Sequence, residues 1–357
     1  MFISVIIPVY NKDNLLNDCI KSVLMQTHKK LEVIIINDGS TDDCENIILK
    51  WKYRDNRIRY YKHENSGVAI TRNKGIELAT GEYLFFLDAD DELPKNALSE
   101  LINNAQKNKS DIVMGNYIQK KGGIKRKRAK PSKYQFSQKD LLESLTQIEL
   151  FLTDSRLMAM VSNKLYKLEF IKKYNIKFNS NILAEDRLFN LKCYLNNPKI
   201  TAIDSYTYIY KQFPESRSQR IKPTFFDESV NLLYEFNKYI KNNPLYRTKT
   251  NENLLELIII YDVFKIINTV FEDSKYKSRE TRKVINKLKQ DEIILYNLNN
   301  VFKKKKYKNI NNKVFNRMKL LSYLLYKLPL GILVYKYLGL IKKRLKLKHT
   351  NISMSDK

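Results

Sequence analysis

The first 118 residues alternate short apolar runs with segments of helical periodicity. The apolar runs predict β-strands at residues 3–9, 31–36, 58–62, 83–87 and 111–117. Between these runs, apolar residues that recur three and four positions apart predict helices at residues 15–26, 42–51, 68–78 and 98–107. Continuous apolar strands that alternate with helices are typical of an α/β fold, in which a mostly parallel sheet is covered by helices on both faces.

Polar loops follow four of the predicted strands, at residues 8–11, 37–42, 64–67 and 88–91. Because the carboxyl ends of parallel strands lie at one edge of a sheet, we expect these loops to converge on one ligand-binding crevice. The first strand is not followed by Gly-x-Gly-x-x-Gly, and the sequence contains no Gly-x-x-x-x-Gly-Lys-Ser/Thr. These patterns count against dinucleotide oxidoreductases and P-loop enzymes.

An acidic cluster follows the fourth strand directly. The apolar run 83–87 ends in Asp88, Asp90, Asp91 and Glu92. Repulsion among these carboxylates would raise their pKa values unless a cation lies among them. An Asp-x-Asp arrangement of hard oxygen ligands suits Mg²⁺ or Mn²⁺, which are usually shared with a substrate phosphate. The cluster therefore predicts a metal-dependent enzyme that acts on a nucleotide.

The net charge changes the picture of the second part of the chain. The 357 residues carry a formal charge of +27, but residues 1–118 contain 15 basic and 17 acidic side chains, whereas residues 119–357 contain 50 and 21. The second part therefore predicts an anionic partner, which is a membrane, a phosphate-rich polymer or nucleic acid. A simpler explanation of the positive charge is that lysine is frequent throughout the chain. The near-neutral charge of residues 1–118 weakens that explanation. Two interpretations of the basic segment 119–133 stay open, a solvated hairpin and an anion-contacting loop.

Length and pattern together predict two units. Residues 1–220 are expected to form the catalytic domain, with a nucleotide-binding half at 1–118 and an acceptor half at 119–220, and residues 221–357 a basic helical region. Residues 320–348 are rich in Leu and Tyr, but their lysines make a membrane-spanning helix costly. This segment is expected either to lie at the membrane surface or to pack on the domain.

Cysteine usage and the first residues indicate the compartment. Cys19, Cys44 and Cys193 lack metal-ligand spacing, which indicates a reducing compartment and argues against zinc. The apolar residues 2–9 have no basic stretch before them and no small-residue cleavage site after them, so we interpret them as a buried strand rather than a signal peptide. We therefore expect a cytoplasmic protein at the inner face of the cell membrane.

Several motifs in order resemble those of one enzyme family. They are Ser-Val-Ile-Ile-Pro-Val-Tyr-Asn at 4–11, Ile-Asn-Asp-Gly-Ser-Thr-Asp at 36–42, the segment 67–76, Phe-Leu-Asp-Ala-Asp-Asp at 86–91, Ala-Glu-Asp at 184–186 and a closing-loop pattern at 208–218. Together they resemble the inverting, nucleotide-sugar-dependent glycosyltransferases of family 2, over roughly residues 1–215. The resemblance implies the GT-A fold, a Rossmann-like arrangement with a mostly parallel sheet, followed here by a helical C-terminal region.

The resemblance also implies a role for each matching residue. Asp186 is implied as the catalytic base, Asp38 as an acceptor of a hydrogen bond from uracil, and Asp90 as the ligand of Mn²⁺ or Mg²⁺. The implied donor-binding residues are Pro8, Tyr10, Asp38, Asn65, Gly67, Arg72, Asp88, Ala89 and Asp90, with Asp91, Glu185 and Arg217 in support. Structural alternatives stay open: Asp38 as a turn or cap residue, Arg72 as a surface arginine, and Glu185 with Asp186 as first-turn acids of a helix.

The implied reaction is a single in-line displacement. One carboxylate takes the proton of the acceptor hydroxyl, and the metal stabilises the departing diphosphate. The Gln-x-x-Arg-Trp motif of processive synthases is missing, since the only tryptophan is Trp51, so transfer of one sugar is expected. The spacing from Phe86 to Asp186 is also similar to that of staphylococcal enzymes that decorate wall teichoic acid. Teichoic acid, capsular or exopolysaccharide, and lipopolysaccharide all stay open as the anionic or lipid-linked acceptor.

Two other functions stay open. A sugar nucleotidyltransferase shares metal-bound nucleotide chemistry, but its activating loop is usually rich in Gly and Arg or Lys, whereas the first loop here is Pro8-Val9-Tyr10-Asn11. A non-catalytic polyanion- or nucleic-acid-binding protein would explain the basic second part, yet the sequence shows no recognised docking motif. We expect a UDP-sugar, a glycan acceptor and peripheral membrane contact, and no nucleic acid. Association into homo-oligomers through the helical end stays open.

Overall fold

The computed structural model describes residues 1–122, 124–128, 134–136, 160–182, 184–213 and 225–248, together with single residues between 252 and 294. The chain divides into two compact units, Met1–Lys222 and Pro223–Lys357. The predicted supporting residue Arg217 and the segment 320–348 lie outside the described residues.

Strands and helices alternate through the first unit as the apolar pattern predicts. Its strands are β1 (Ile3–Val9), β2 (Leu31–Asp38), β3 (Ile58–His63), β4 (Tyr83–Phe86), β5 (Ile112–Lys121), β6 (Ile124–Arg128), β7 (Tyr134–Phe136), β8 (Lys164–Lys167) and β9 (Ile200–Gln212). Its helices are α1 (Asp13–Leu24), α2 (Cys44–Arg54), α3 (Val68–Leu78), α4 (Ala97–Asn108), α5 (Leu168–Lys173) and α6 (Glu185–Tyr194). The predicted elements in residues 1–118 are all present, with ends that shift by a few residues.

The strands form one mixed sheet in the order β3-β2-β1-β4-β8-β5-β9-β7, with β6 paired to β5. Strands β3, β2, β1 and β4 are parallel, and β5 is parallel to β9. Strand β8 inserts antiparallel between β4 and β5. Strands β6 and β7 are also antiparallel to their neighbours, and β5 and β6 form a hairpin that extends into the basic segment 119–133.

Helices cover both faces of the sheet, which confirms the predicted fold class. On one face, β1 residues such as Val5 pack with Leu16 of α1, Ile48 of α2 and Leu98 of α4 in a single hydrophobic core. On the other face, α3 lies so close to β1 that a Cβ on Gly75 would overlap the side chain of Ile6.

An aromatic cluster on the second face connects β4 with the later part of the unit. The Phe86 ring makes edge-to-face contacts with Tyr166 of β8, with Phe178 and with Phe189 of α6, at centroid distances of 5.9, 5.3 and 5.8 Å. Phe178 and Phe189 are themselves stacked at 4.2 Å. This packing fixes the start of α6 relative to the end of β4, which positions the site described below.

The second unit contains α7 (Phe225–Asn242) and a 3₁₀ turn at Pro244–Tyr246. Buried side chains on α7 include Leu232, Leu233 and Phe236, which is the pattern of an amphipathic helix packed on one side. In the part of the chain that the structure describes, no helix combines the length and the apolar character that a membrane crossing requires.

Candidate active site

The loops after the parallel strands meet at one edge of the sheet, as predicted. The backbone N–H of Thr41, after β2, donates to Oδ1 of Asn11, after β1, at 2.9 Å. The ammonium of Lys12, also after β1, lies 2.8 Å from Oδ2 of Asp90, after β4. These contacts join the loops of three separate strands into one crevice.

Asp38 anchors the loop that follows β3. Its Oδ1 accepts from the backbone N–H of Ser66 at 2.7 Å, and its Oδ2 accepts from that of Gly67 at 3.0 Å. His63 Nδ1 lies 3.4 Å from the same carboxylate, which is almost fully buried. Asp38 therefore fixes the backbone at the start of α3, a structural role. A carboxylate has about four acceptor positions, so the predicted contact with uracil is compatible with these bonds and stays a prediction.

Close packing of two loops depends on a glycine. Gly39 has a φ of 72°, and a Cβ there would lie only 2.7 Å from the backbone nitrogen of Asn65. Gly67 also has a positive φ, but space around it is open. The other predicted donor positions near this edge differ in exposure, since Pro8 is half-buried and Tyr10 is 45% exposed.

Arg72 of α3 brings together carboxylates from two distant segments. Its Nη2 donates to Oδ1 of Asp88 at 2.8 Å, and its Nη1 donates to Oδ1 of Asp186 at 2.5 Å and to Oε1 of Glu185 at 3.2 Å. Arg72 is only 4% exposed, so it is not the surface arginine that the sequence left open. The predicted residues Arg72, Asp88, Glu185 and Asp186 thus form one cluster, which we call the Arg72 cluster.

Packing holds the guanidinium of Arg72 in place. Its Cζ lies 5.3 Å from the centroid of the Phe178 ring, a cation–π contact. The backbone of Phe178 is fixed in turn by Asn73, whose amide donates to the carbonyl of Phe178 at 2.9 Å and accepts from its N–H at 2.8 Å. Neighbouring residues of α3 therefore supply both the arginine and the support of the ring beneath it.

Burial and charge shift the pKa values in the Arg72 cluster. Burial alone would lower the pKa of Arg72, but Asp186, Asp88 and Glu185 together outweigh it and raise that pKa. Burial, and then the neighbouring Asp186, raises the pKa of Glu185 to about 7, although Arg72 acts in the opposite direction. Glu185 is therefore a carboxyl group that changes its ionisation near neutral pH.

Asp91 faces the interior rather than the crevice. Its Oδ2 accepts from the hydroxyl of Tyr208 at 2.6 Å and its Oδ1 from the backbone N–H of Lys211 at 2.8 Å. The adjacent Glu92 pairs with Lys211 at 2.5 Å and with Lys120 at 3.3 Å. Residues 208–211 belong to β9, so the prediction that they begin a closing loop is wrong. The backbone of these residues pairs with β5 in parallel instead.

The carboxylates at the crevice fit a divalent cation that is shared with a diphosphate. Asp88 and Asp90 are partly exposed and supply hard oxygen donors. Burial, and to a smaller extent the nearby Asp186 and Asp90, raises the pKa of Asp88, although Arg72 acts in the opposite direction. Within the described residues, no group of three or more His, Cys, Asp or Glu side chains is placed to hold a metal. Phosphate oxygens would therefore complete the ligand set, as is usual for Mg²⁺.

Comparisons with known proteins agree with this geometry. The family model described as glycosyl transferase family 2 matches residues 4–170. The chain is 30% identical over 234 residues to the uncharacterized glycosyltransferase EpsJ of Bacillus subtilis (strain 168), covering 65% of this chain and 67% of EpsJ. It is 29% identical over 259 residues to the poly(ribitol-phosphate) β-N-acetylglucosaminyltransferase TarP of Staphylococcus aureus (strain N315), covering 71% and 76%. The crystal structure of S. aureus TarS 1-349 in complex with UDP-GlcNAc matches with a TM-score of 0.65 at 21% identity, covering 91% of this chain and 87% of that one.

The chain belongs to glycosyl transferase family 2, and it is a glycosyltransferase with the GT-A fold. This confirms the resemblance, the fold class and the enzyme class that the sequence predicts. The alternatives of a sugar nucleotidyltransferase and of a non-catalytic polyanion-binding protein lose their support.

Sequence reasoning missed three residues that shape the crevice. Lys12 pairs with Asp90, Phe178 supports Arg72, and Tyr208 holds Asp91. No local pattern singles out Lys12 or Phe178. Tyr208 lies within the closing-loop pattern at 208–218, and its position in a strand where every second residue is aromatic is the available signal of an inward-facing side chain.

Proposed function

We propose that the protein transfers one sugar from a UDP-sugar, with inversion, to a hydroxyl group of an anionic bacterial cell-surface glycan or its precursor. The Arg72 cluster carries the proposal, because it places Asp88 of the donor-side loop beside Glu185 and Asp186 of α6. A single-displacement transfer needs donor-binding groups and a proton acceptor in one crevice.

Asp186 is the proposed catalytic base. Its Oδ1 is oriented by Arg72, and its Oδ2 lies at 3.5 Å from the backbone N–H of Val161, a long contact. The side chain is 25% exposed, so an acceptor hydroxyl can approach it. As Asp186 takes the hydroxyl proton, the acceptor oxygen forms a bond to the anomeric carbon and the bond from that carbon to the diphosphate breaks. Glu185 is proposed to position the reactants.

Asp90 is the proposed metal ligand, with Asp88 beside it. When bound, Mn²⁺ or Mg²⁺ supplies positive charge that stabilises the departing diphosphate. Asp38, with Pro8, Tyr10, Asn65, Gly67 and Ala89, is proposed to bind the rest of the donor, and Asp91 to support the acidic loop from within. Arg217 is proposed to assist from the segment after β9.

The relatives and the charge distribution support the choice of donor and acceptor. TarS is solved with UDP-GlcNAc, and the name of TarP specifies a poly(ribitol-phosphate) acceptor. The excess of 50 basic over 21 acidic residues in 119–357 suits a polyphosphate acceptor, and equally an anionic membrane surface. We therefore place the reaction in the cytoplasm, at the inner face of the cell membrane.

The test combines a substrate panel with one substitution. Purified protein with Mn²⁺ should release UDP from at least one UDP-sugar when an acceptor is present, across a panel of anionic and neutral acceptors. Asp186→Asn should lower turnover by about 10²- to 10⁴-fold, the usual contribution of a general base, and leave UDP affinity nearly unchanged. Glu77→Gln is the matched control, because Glu77 is an exposed carboxylate of α3. Unchanged turnover in Asp186→Asn would remove the assignment of Asp186 as the base. If no UDP-sugar releases UDP with any acceptor in the panel, the proposed transfer is refuted.

A further inference from the structure

The ammonium of Lys12 forms an ion pair with Asp90, the carboxylate that the proposed function assigns as a metal ligand. Lys12 Nζ lies 2.8 Å from Oδ2 of Asp90, and the two residues come from the loops after β1 and β4. A lysine at this position carries the same sign of charge as a divalent cation. It therefore opposes the binding of a metal to Asp90 for as long as the pair persists.

The backbone of Lys12 is fixed, although its side chain reaches solvent. The Lys12 N–H donates to Sγ of Cys44 at 3.2 Å, and the Lys12 carbonyl accepts from the N–H groups of Leu15 and Leu16, each at 2.9 Å. The root of the side chain is thus held at the start of α1. Four rotatable methylene groups allow the ammonium itself to move within the crevice.

The pair of Lys12 with Asp90 is the most exposed of the ion pairs along the acidic loop. The Lys12 side chain is 39% exposed, compared with 30% for Lys120 and 13% for Lys211 beside Glu92, and 4% for Arg72 beside Asp88. Exposed pairs contribute little free energy and exchange readily, whereas buried pairs do not. Among these pairs, that of Asp90 is the most accessible to solution cations and ligands.

We propose that Lys12 is an internal competitor for the metal at Asp90, a positioning residue that couples metal binding to nucleotide binding. This rests on the proposed role of Asp90. Without nucleotide, Lys12 neutralises Asp90 and weakens its affinity for Mn²⁺. When a nucleoside diphosphate enters, its phosphate oxygens attract the ammonium, and Lys12 leaves Asp90 to the metal.

The coupling must be reciprocal. If UDP relieves Asp90 of Lys12, then UDP raises the affinity for Mn²⁺, and Mn²⁺ raises the affinity for UDP by the same factor. The part of this coupling that depends on Lys12 should disappear when its charge is removed. Free enzyme would therefore bind Mn²⁺ weakly, and the enzyme with nucleotide would bind it well.

The experiment measures Mn²⁺ binding to the full chain without turnover. Titrations followed by the electron paramagnetic resonance signal of free Mn²⁺ would compare wild type, Lys12→Met, Lys12→Arg and Lys21→Met, each with and without UDP. Lys21→Met is the matched control, because Lys21 is an exposed lysine in the last turn of the same helix, α1. Lys12→Arg keeps the charge at the crevice.

Without UDP, Lys12→Met should bind Mn²⁺ about fivefold more tightly than wild type, which corresponds to about 1 kcal/mol for a partly exposed pair. Lys12→Arg should stay close to wild type, and Lys21→Met should change the dissociation constant by less than about twofold. UDP should tighten Mn²⁺ binding less in Lys12→Met than in wild type. An unchanged or weaker affinity in Lys12→Met, an equal gain in Lys21→Met, or no binding in any sample would overturn the proposal. Because no sugar is transferred, failure of the proposed reaction would appear only in the UDP-release assay.

Discussion

Replacing Arg72 by methionine should destabilise the catalytic unit strongly, because it leaves several carboxylates without their cation. Arg72 is almost fully buried and contacts Asp88, Glu185 and Asp186 at 2.8, 3.2 and 2.5 Å. Removal of one partner from a buried ion pair costs about 3–5 kcal/mol. The three carboxylates are each 16 to 33% exposed and can recover some hydration, so we expect a loss of about 3 kcal/mol in the free energy of unfolding.

The loss should depend on pH, with a sign fixed by Glu185. Its pKa in the folded protein is about 7, above the usual value of 4.5. A carboxyl group with a raised folded-state pKa binds more protons when folded, so its contribution to stability falls as the pH rises from 4.5 to about 7. Arg72 lowers this pKa, and its removal will raise it further. The destabilisation by Arg72→Met should therefore be larger at about pH 8.5 than at about pH 5.5, by about 1 kcal/mol.

Urea unfolding can measure both effects, because the only tryptophan reports on this unit. Trp51 of α2 is half-buried, and its Nε1 donates to Oδ1 of Asn17 at 3.0 Å. Arg54→Met, at the exposed end of α2, is the matched control and should change stability by less than about 0.5 kcal/mol. A destabilisation by Arg72→Met below about 1 kcal/mol, or a larger one at acidic pH, would refute the assigned electrostatics.

Two further predictions concern a loop and a titrating group. Gly39→Ala should weaken UDP binding, measured by calorimetry, and lower the free energy of unfolding by more than about 1 kcal/mol. Gly122→Ala is the control, because Gly122 also has a positive φ but lies in open space, so only the smaller cost of the backbone conformation applies. Equal effects of the two substitutions would contradict the close-packing argument. The stability of Glu185→Gln relative to wild type should rise by about 2 kcal/mol between about pH 5.5 and about pH 8.5, because the neutral amide avoids the ionisation that burial opposes. Parallel stability curves over this range would show that Glu185 does not titrate there.

The sequence predicts the first half of the catalytic unit closely because each element there carries its own signal. Strands β1 and β2 are buried on both faces, so they appear as unbroken apolar runs. Helix α3 begins and ends at the predicted residues, Val68 and Leu78. In these elements the local pattern and the tertiary environment agree, and no distant contact is needed to interpret them.

Strand β8 could not be predicted in the same way. It contains only four residues, and two of them are lysines. Lys164 is nevertheless fully buried, where its ammonium donates to the backbone carbonyl of Met160. The position of β8 between β4 and β5 depends on pairing with strands far away in the sequence. A charged residue in a short segment indicates surface when it is considered alone, and only the long-range pairing reverses that interpretation.

The candidate site likewise contains features that the sequence predicts and features that depend on contacts between distant segments. Residue types and their order predict the acidic loop, Arg72 and the acids at the start of α6. They do not predict which side chains meet, because Asp91 and Tyr208 are 117 residues apart and Arg72 and Asp186 are 114 apart. The roles that depend on a bound donor or acceptor stay predictions, since no local pattern fixes the shape of a pocket for a particular sugar.

The repulsion among the four carboxylates after β4 suggested a metal, but the protein itself supplies a partner to each of them. Arg72 pairs with Asp88, Tyr208 donates to Asp91, and Lys211 pairs with Glu92, all from largely buried positions. Among the described residues, the pair of Lys12 with Asp90 is the most exposed of the ion pairs along this loop, followed by that of Lys120 with Glu92. The structure therefore supplies a protein partner to each carboxylate of the acidic loop, and the most exposed of these partners is the one at Asp90, the proposed metal ligand. Under the proposed coupling, the enzyme would acquire its metal together with its donor, because phosphate oxygens would both complete the ligand set and attract the ammonium of Lys12 away from Asp90.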